Sequence, residues 1–365
     1  MAADLSHLFS LGYFQKVVPR RLIAQVLEET GRESKRIRLM PAAEVVYLTM
    51  FMAINRDPNL GEVVGVFNDS MKKLGARGQN RPGPNPAGIS QARGRLGFEP
   101  LRLIADKVLR PLASQDFGEA FYGGMRLWSI DESFFDTPDE AKNAEYFGYE
   151  ITPEGRGAFP QVRVMSLVET LTRTVTAAEL GPLETEAKTL VGALLGRNLL
   201  TATDLLVSDW NRADKGLWSK IMSNGAGVVL GGESDLNIEV LERLSDGSFI
   251  ALNYDLLDRE GAPGRVRLIG FGAQSPGPAG GGGKTVFQKG ALVTSLLNHK
   301  LCPADELMAL YREKKTIDDL FGEFKNAPKG ASTVLRSKTP ELIYQELWGL
   351  LLVHFALREL AFGGP

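Results

Sequence analysis

The chain has 365 residues, 44% of them hydrophobic and 24% charged, an ordinary globular composition with length for two or three structural units. Its net charge of -2 and isoelectric point near 6.1 weigh against an extended DNA-contacting surface, because such surfaces usually carry basic excess to neutralise phosphates. No apolar run of about 18 residues is present to span a bilayer. LWGLLLVHFAL near the end is too short and is interrupted by His354, so it reads as a buried helix. The segment MAADLSHLFSLGYF lacks a basic region followed by an apolar core, and no secretory signal is expected from it. Cys302 is the sole cysteine, which excludes an internal disulfide and a cysteine-based zinc site. A cytoplasmic location with no membrane partner is the expectation.

Up to about residue 120 the spacing predicts helices. PRRLIAQVLEET, AAEVVYLTMFMAI and LRLIADKVLRPLA repeat apolar residues at intervals of three and four. Thr30 and Gly31 mark one helix end, and Pro41 suits the start of the next. RGQNRPGPNPAG is a Pro/Gly-rich loop. ISQARGRLGFEP then reads as a short helix with Arg93 and Arg95 exposed on a solvated face.

From about residue 124 the pattern changes. MRLWSID reads as a strand ending on an acid, FPQVRVMSLVET and TVTAAELGP as the next two strands of a meander, and ETEAKTLVGALLG as a helix. DLLVSD is a second strand ending on an acid, KGLWSKIMSNG a helix with a glycine stop, and AGVVLGGES a strand. Strands alternating with helices predict an α/β core, and such sheets place ligand sites beyond the carboxyl ends of their strands.

Between about 232 and 297 the chain reads as short β segments: IEVLERL, GSFIALNYD, RVRLIGFG and KTVFQKGALVTSLL, split by the flexible SPGPAGGGGK. GGGGKT is not a phosphate loop. The position five before Gly283 is Pro278, and no strand–loop–helix context surrounds it. CPADELMALYREKKTIDDLFGEFKNAP reads as one long amphipathic helix with Leu307, Leu310, Ile317, Leu320, Phe321 and Phe324 as its apolar stripe. Tyr311, Lys314, Asp318 and Lys325 lie at spacings of three, four and seven and can share a face.

Three acids on three separate segments stand out: Asp131, Asp209 and Asp318. Distant acids gathered by a fold can clamp two divalent cations about 3.5–4 Å apart, which steady the attacking and leaving oxygens of a phosphoryl transfer. His7, His299 and His354 share no metal-ligand spacing, and His354 reads as a satisfied core residue. Ser133 has no base near it in sequence, so a serine–histidine arrangement is unsupported.

These segments, in this order, resemble the IS-four family of bacterial DDE transposases over nearly the whole chain. GISQARGRLGFEPLR resembles the end of the family's helical N-terminal region. FYGGMRLWSIDESFFDTPDEAKNAEYFG resembles its first-aspartate block, and GAFPQVRVMSLVE is a further hallmark. DLLVSD leads to the second aspartate, YREKKTIDDLFGEFK aligns with the terminal helix, and VLRSKTPELIYQELWGLLLVHFALREL matches the C-terminal tail.

The resemblance implies an RNase H-like α/β fold: a mixed sheet with flanking helices, a mostly β insertion and a helical N-terminal domain. The expected division is 1–120 for the helical domain, 121–231 for the first part of the core, 232–297 for the insertion and 298–365 for the closing helices. The implied activity is cut-and-paste strand transfer on DNA transposon ends with bound Mg²⁺ or Mn²⁺. Asp131, Asp209 and Asp318 would hold the metal, and Tyr311, Lys314, Lys325, Trp210 and Arg212 would meet the substrate. A homodimer is compatible with that activity.

The chain also departs from the family pattern. Asp318 stands where the family has Glu, one methylene shorter, and Lys314 where it has Arg, which loses a bidentate fork for phosphate. Trp210 and Asn211 replace an Arg-Gly, Glu132 and Ser133 replace a Gly-Thr, and Glu233 and Asp235 stand in a usually basic strand. Glu323, five positions past Asp318, would be turned well away on a helix.

Two readings therefore stay open. One is a transposase with an all-aspartate triad. The other is a domesticated relative that has lost DNA transposition and acts on a small molecule. In the second, Trp128, Trp210 and Tyr311 would line a pocket, and the aspartates would work as acid, base or binding groups without a cofactor.

Overall fold

A computed structural model describes residues 11–36, 39–55, 60–73, 85–209, 215–232, 235–257, 262–270, 285–286, 291–315, 320–321 and 334–362. Among the described residues six helices come first: α1 (Leu11–Val17), α2 (Arg20–Glu29), α3 (Ala42–Ile54), α4 (Leu60–Lys73), α5 (Pro86–Leu96) and α6 (Glu99–Val108). Asn85 starts α5 by accepting a hydrogen bond from the Gly88 amide at 2.8 Å, with Pro86 next in line, a pairing suited to a helix N-terminus. α3 is apolar on all sides and buried from Glu44 to Ala53, so it must be wrapped by other elements. The wrapping is completed by the C-terminal helix Pro340–Phe362, buried from Ile343 to Ala356, which packs on α3, α5 and α6.

Arg93 is a correction to the sequence reading. It is buried, not solvated. Its Nε donates to Gln345 Oε1 at 2.7 Å, and its Nη2 donates to Ser337 Oγ at 3.0 Å and to the Leu342 carbonyl at 3.1 Å. The C-terminal helix lies over the face of α5 that the local pattern left open to water. Burial lowers the Arg93 pKa, and Glu346 works against that shift. Arg95, on the same helix, is exposed as expected. His354 is a satisfied core residue, its Nε2 2.9 Å from the Arg173 carbonyl oxygen.

The two helices approach closely at Gly349, where an added Cβ would lie 2.8 Å from Thr49 Cγ2 and 3.2 Å from the Thr49 carbonyl oxygen. Gly349→Val should therefore cost about 1–3 kcal/mol in a urea melt, the usual range for overfilling a packed interior. A change within about 0.5 kcal/mol, the size of a neutral surface substitution, would mean that the helices part freely there.

The sheet begins with β1 (Phe121–Tyr122) and β2 (Met125–Asp136). After α7 (Ala141–Phe147) come β3 (Tyr149–Thr152), β4 (Gly155–Glu169) and β5 (Thr174–Pro182); then α8 (Ala187–Leu195), β6 (Asp204–Asp209), α9 (Lys215–Ser223) and β7 (Gly227–Gly231). β2, β4 and β5 pair antiparallel, whereas β2, β6 and β7 pair parallel with helices in the connections. Across the sheet the order is β5-β4-β2-β6-β7, with the first long strand in the middle. Three antiparallel strands joined to two parallel ones in this order make an RNase H-like arrangement, as the resemblance implied.

The next strands are β8 (Asp235–Leu236), β9 (Ile238–Arg243), β10 (Phe249–Leu257), β11 (Pro263–Ile269), β12 (Thr285–Val286) and β13 (Leu292–Thr294). β13 pairs antiparallel with β7, and β11, β10 and β9 follow outward, so these strands prolong the central sheet to 11 strands. β8 and β12 form a separate pair. α10 (Ala304–Lys315) then crosses back over the sheet.

Alternation along the strands divides the interior in two, as the period of two requires. Trp128, Ile130, Leu206, Val228 and Leu230 face α8 and α9, whereas Leu127, Leu205, Val207 and Val229 face Leu307 and Tyr311 of α10. The long helix expected over 302–328 is described over Ala304–Lys315; Leu320 and Phe321 lie in a turn. They are buried in the same core as Phe135 and the N-terminal helices, while Leu307 and Tyr311 lie against the sheet. The apolar stripe therefore serves two different cores. Among the described residues no helix is long and apolar enough to cross a membrane.

Candidate active site

Asp131 lies inside β2, not at its end as the sequence suggested. β4 pairs with β2 from Trp128↔Glu169 to Asp136↔Gln161, which carries the strand on past the acid, with Asp131 opposite Ser166. β6 pairs with β2 only as far as Ser129↔Val207. Two residues further along each strand stand Asp131 and Asp209. They are neighbours on adjacent parallel strands and, by the alternation of the strands, belong to the face that α10 covers.

α10 supplies the upper wall. Leu307 and Tyr311 are buried against the sheet, and Lys314 follows one turn on, only 4% exposed. The Tyr311 hydroxyl donates to Asp209 Oδ1 at 2.7 Å, and the Lys314 ammonium donates to Asp209 Oδ2. Both oxygens of the Asp209 carboxylate are thus engaged, one by a neutral donor and one by a cation. Tyr311 fits there because Gly231, opposite Asp209 on β7, has no side chain; a Cβ on it would lie 2.2 Å from Tyr311 Cζ.

α10 is held at its other end by the strands that precede it. Asp246, in the β9–β10 turn, accepts from the Ala304 amide at 3.2 Å through Oδ2. The same oxygen accepts from Arg267 of β11, and Arg267 Nη1 reaches the Cys302 carbonyl at 2.6 Å. The Tyr122 hydroxyl adds a bond to Glu306 Oε2 at 2.8 Å. The helix that carries Tyr311 and Lys314 is therefore set in place by groups from β1, from β11 and from the β9–β10 turn at the sheet's edge.

Asp131 accepts a hydrogen bond from Ser133 Oγ at 2.8 Å through Oδ2. Ser133 entered the sequence reading only as an unsupported nucleophile and as part of a departure from the family's Gly-Thr, although its spacing of two on a strand places both side chains on one face. The signal for Ser133 was present; none pointed to Gly231. Glu132, on the opposite face, is ion-paired to Arg163 at 3.2 Å. Trp128 also belongs to that opposite face, buried with Nε1 donating to Asp204 Oδ1 at 2.7 Å, and so does not line a pocket with Asp131. An indole there packs against α8 and α9 because its residue number differs from 131 by an odd step on a strand.

Of the residues singled out in the sequence, Asp209, Tyr311 and Lys314 are brought into contact, with Asp131 on the neighbouring strand. Asp318, Lys325, Trp210 and Arg212 lie outside the described residues, as do Asn211, Glu233 and Glu323. Two carboxylates on one face are hard oxygen donors of the kind Mg²⁺ and Mn²⁺ take, so the donor chemistry fits such an ion. Among the described residues, no three His, Cys, Asp or Glu side chains come together to hold a metal.

Comparison with known proteins agrees with the order of these segments. Residues 8–105 match the family model of the insertion element 4 transposase N-terminal region. The chain is 27% identical over 356 residues to the transposase InsG for insertion sequence element IS4 of Escherichia coli (strain K12), covering 92% of this chain and 73% of that relative. A cryo-electron microscopy structure of a piggyBac transposase synaptic complex with hairpin DNA covers 98% of this chain and 76% of its own, at a TM-score of 0.43 and 10% identity, a likeness too low to argue from. In its N-terminal helices by the family model, and along 92% of its length by alignment, the chain is similar to transposases of insertion sequence element IS4.

Proposed function

We propose that the protein is a metal-dependent DNA strand-transfer enzyme of the transposase type, with Asp131, Asp209 and Asp318 as its acids. The observation that carries this reading is the placement of Asp131 and Asp209 side by side, on one face, where the pairing of β2 with β6 ends. Bound Mg²⁺ or Mn²⁺ would activate the attacking water or 3′-hydroxyl and steady the leaving oxygen.

The chain's own residues do the rest. Asp131 and Asp209 offer the carboxylate oxygens. Ser133 fixes the orientation of one and Tyr311 that of the other. α10 closes the α10 side of the sheet, so the acids are reached from the strand ends. Lys314, Lys325 and Arg212 supply positive charge for the DNA backbone, in a chain whose total charge of -2 gives no general attraction for it. Trp210 and Tyr311 complete the substrate contacts.

The test is a nicking assay on duplex DNA carrying the sequences that border this gene, with Mg²⁺ or Mn²⁺. Wild type is expected to nick one strand only when a divalent ion is present. Asp131→Asn and Asp209→Asn should each lose more than the roughly 10–100-fold that removing an outer-shell partner of a metal costs. Failure of folded wild type to nick with either ion would overturn the reading and favour small-molecule work by the same acids.

A further inference from the structure

The Asp209 carboxylate already has a cation. Lys314 is 4% exposed, its ammonium contacts Oδ2, and the nitrogen lies 5.9 Å from the centre of the Tyr311 ring that holds Oδ1. A lysine this buried needs a negative partner, and Asp209 is one. A divalent ion seated on the same oxygens would stand within a few ångströms of that ammonium, and like charges so close in a low-dielectric site repel strongly.

We infer that Lys314 is the resident counter-ion of Asp209 and that a divalent cation binds there only by displacing it. Cation entry and withdrawal of the Lys314 ammonium are then one event. The inference rests on the metal-dependent reading above. It adds that the site has two charge-balanced states: one closed by lysine, and one open, with the metal on Asp209 and the ammonium on its four-carbon stem freed for a phosphodiester oxygen. Lysine suits the exchange because its compact charge sits on a flexible stem, whereas a planar guanidinium commits to a fixed fork.

The experiment is Mn²⁺ binding to the full chain by electron paramagnetic resonance, on wild type, Lys314→Met and Asp209→Asn. Lys314→Met should bind Mn²⁺ about tenfold tighter or more than wild type, since a competing charge has gone, and Asp209→Asn should lose that binding. A second measurement needs no variant: acetic anhydride footprinting of wild type, read by mass spectrometry. Lys314 should be protected without cation and become reactive at saturating Mg²⁺.

Equal Mn²⁺ affinity in wild type and Lys314→Met, with Lys314 still protected at saturating Mg²⁺, would overturn the displacement and leave the metal reading standing. No Mn²⁺ bound by either protein would overturn both. If Lys314→Met does not fold, the footprint decides alone.

Discussion

Arg267→Met is expected to lower the unfolding free energy by roughly 3–5 kcal/mol near neutral pH, the range for breaking one partner out of a buried ion pair. Arg267 is fully buried on β11, where a charge survives only with its donors satisfied. Its Nε donates to Ser248 Oγ at 2.9 Å, Nη1 to the Cys302 carbonyl at 2.6 Å, and Nη2 to Asp246. Methionine replaces part of the stem and none of these bonds.

Acid should act on the same cluster. Burial pushes the Asp246 carboxyl up, but the Ser248 hydroxyl and amide, Arg267 and the Ala304 amide together hold it below its ordinary 3.8. A carboxylate depressed in the folded state contributes stability that is present above the unfolded value and lost as pH falls through the folded one. Wild type should therefore shed this contribution below pH 3.8, and Arg267→Met should shed less of it. Urea melts near neutrality and in acid check both parts. A loss under about 1 kcal/mol at neutral pH would place Arg267 with exposed ion pairs and sink the argument.

Gly231→Ala should disturb the site more than one methyl suggests. The new Cβ would lie 2.2, 2.4 and 2.7 Å from three atoms of the Tyr311 ring. The ring is a rigid plate held by its hydroxyl on Asp209, so it must leave. Overfilling costs about 1–3 kcal/mol, and the lost bond to a charged acceptor adds roughly 1.5–3 kcal/mol where relaxation does not recover it. Gly231→Ala combined with Tyr311→Ala should cost less than the sum of the two, with a coupling of about 1–3 kcal/mol. Additive effects in that double-mutant cycle would mean that Tyr311 does not sit on Gly231.

The elements were legible where pattern and period agree. DLLVSD, TVTAAELGP and the all-apolar AAEVVYLTMFMAI declare themselves, because their burial is set by their own residues. Order across the sheet was not legible from periodicity; it came from the family resemblance. Arg93 failed for a definable reason: its partners Gln345, Ser337 and Leu342 lie more than 240 residues away, and no local pattern announces them. Asp131 was seen, but not that its strand runs on, since only the pairing with β4 continues it. Lys314 was read as a substrate contact from the family resemblance, and helical spacing gave only a face shared with Tyr311. That Lys314 would rest on Asp209 depends on how α10 is seated by Asp246 and Tyr122, which are 124 residues apart in the chain.

The C-terminal helix has a consequence for synthesis. It closes the same core as α1 to α6, yet it is made more than 200 residues after them. At roughly 5–20 residues per second, the first helices leave the ribosome many seconds before their central partner exists. Through that interval the side of α3 that the C-terminal helix covers stays apolar and bare, a hazard for self-association. Completion of the N-terminal helical layer is thereby postponed until the C-terminal helix has emerged. A message truncated before Pro340 would yield a product with its first core unfinished, so translation through the C-terminal helix acts as a check on which copies become folded protein.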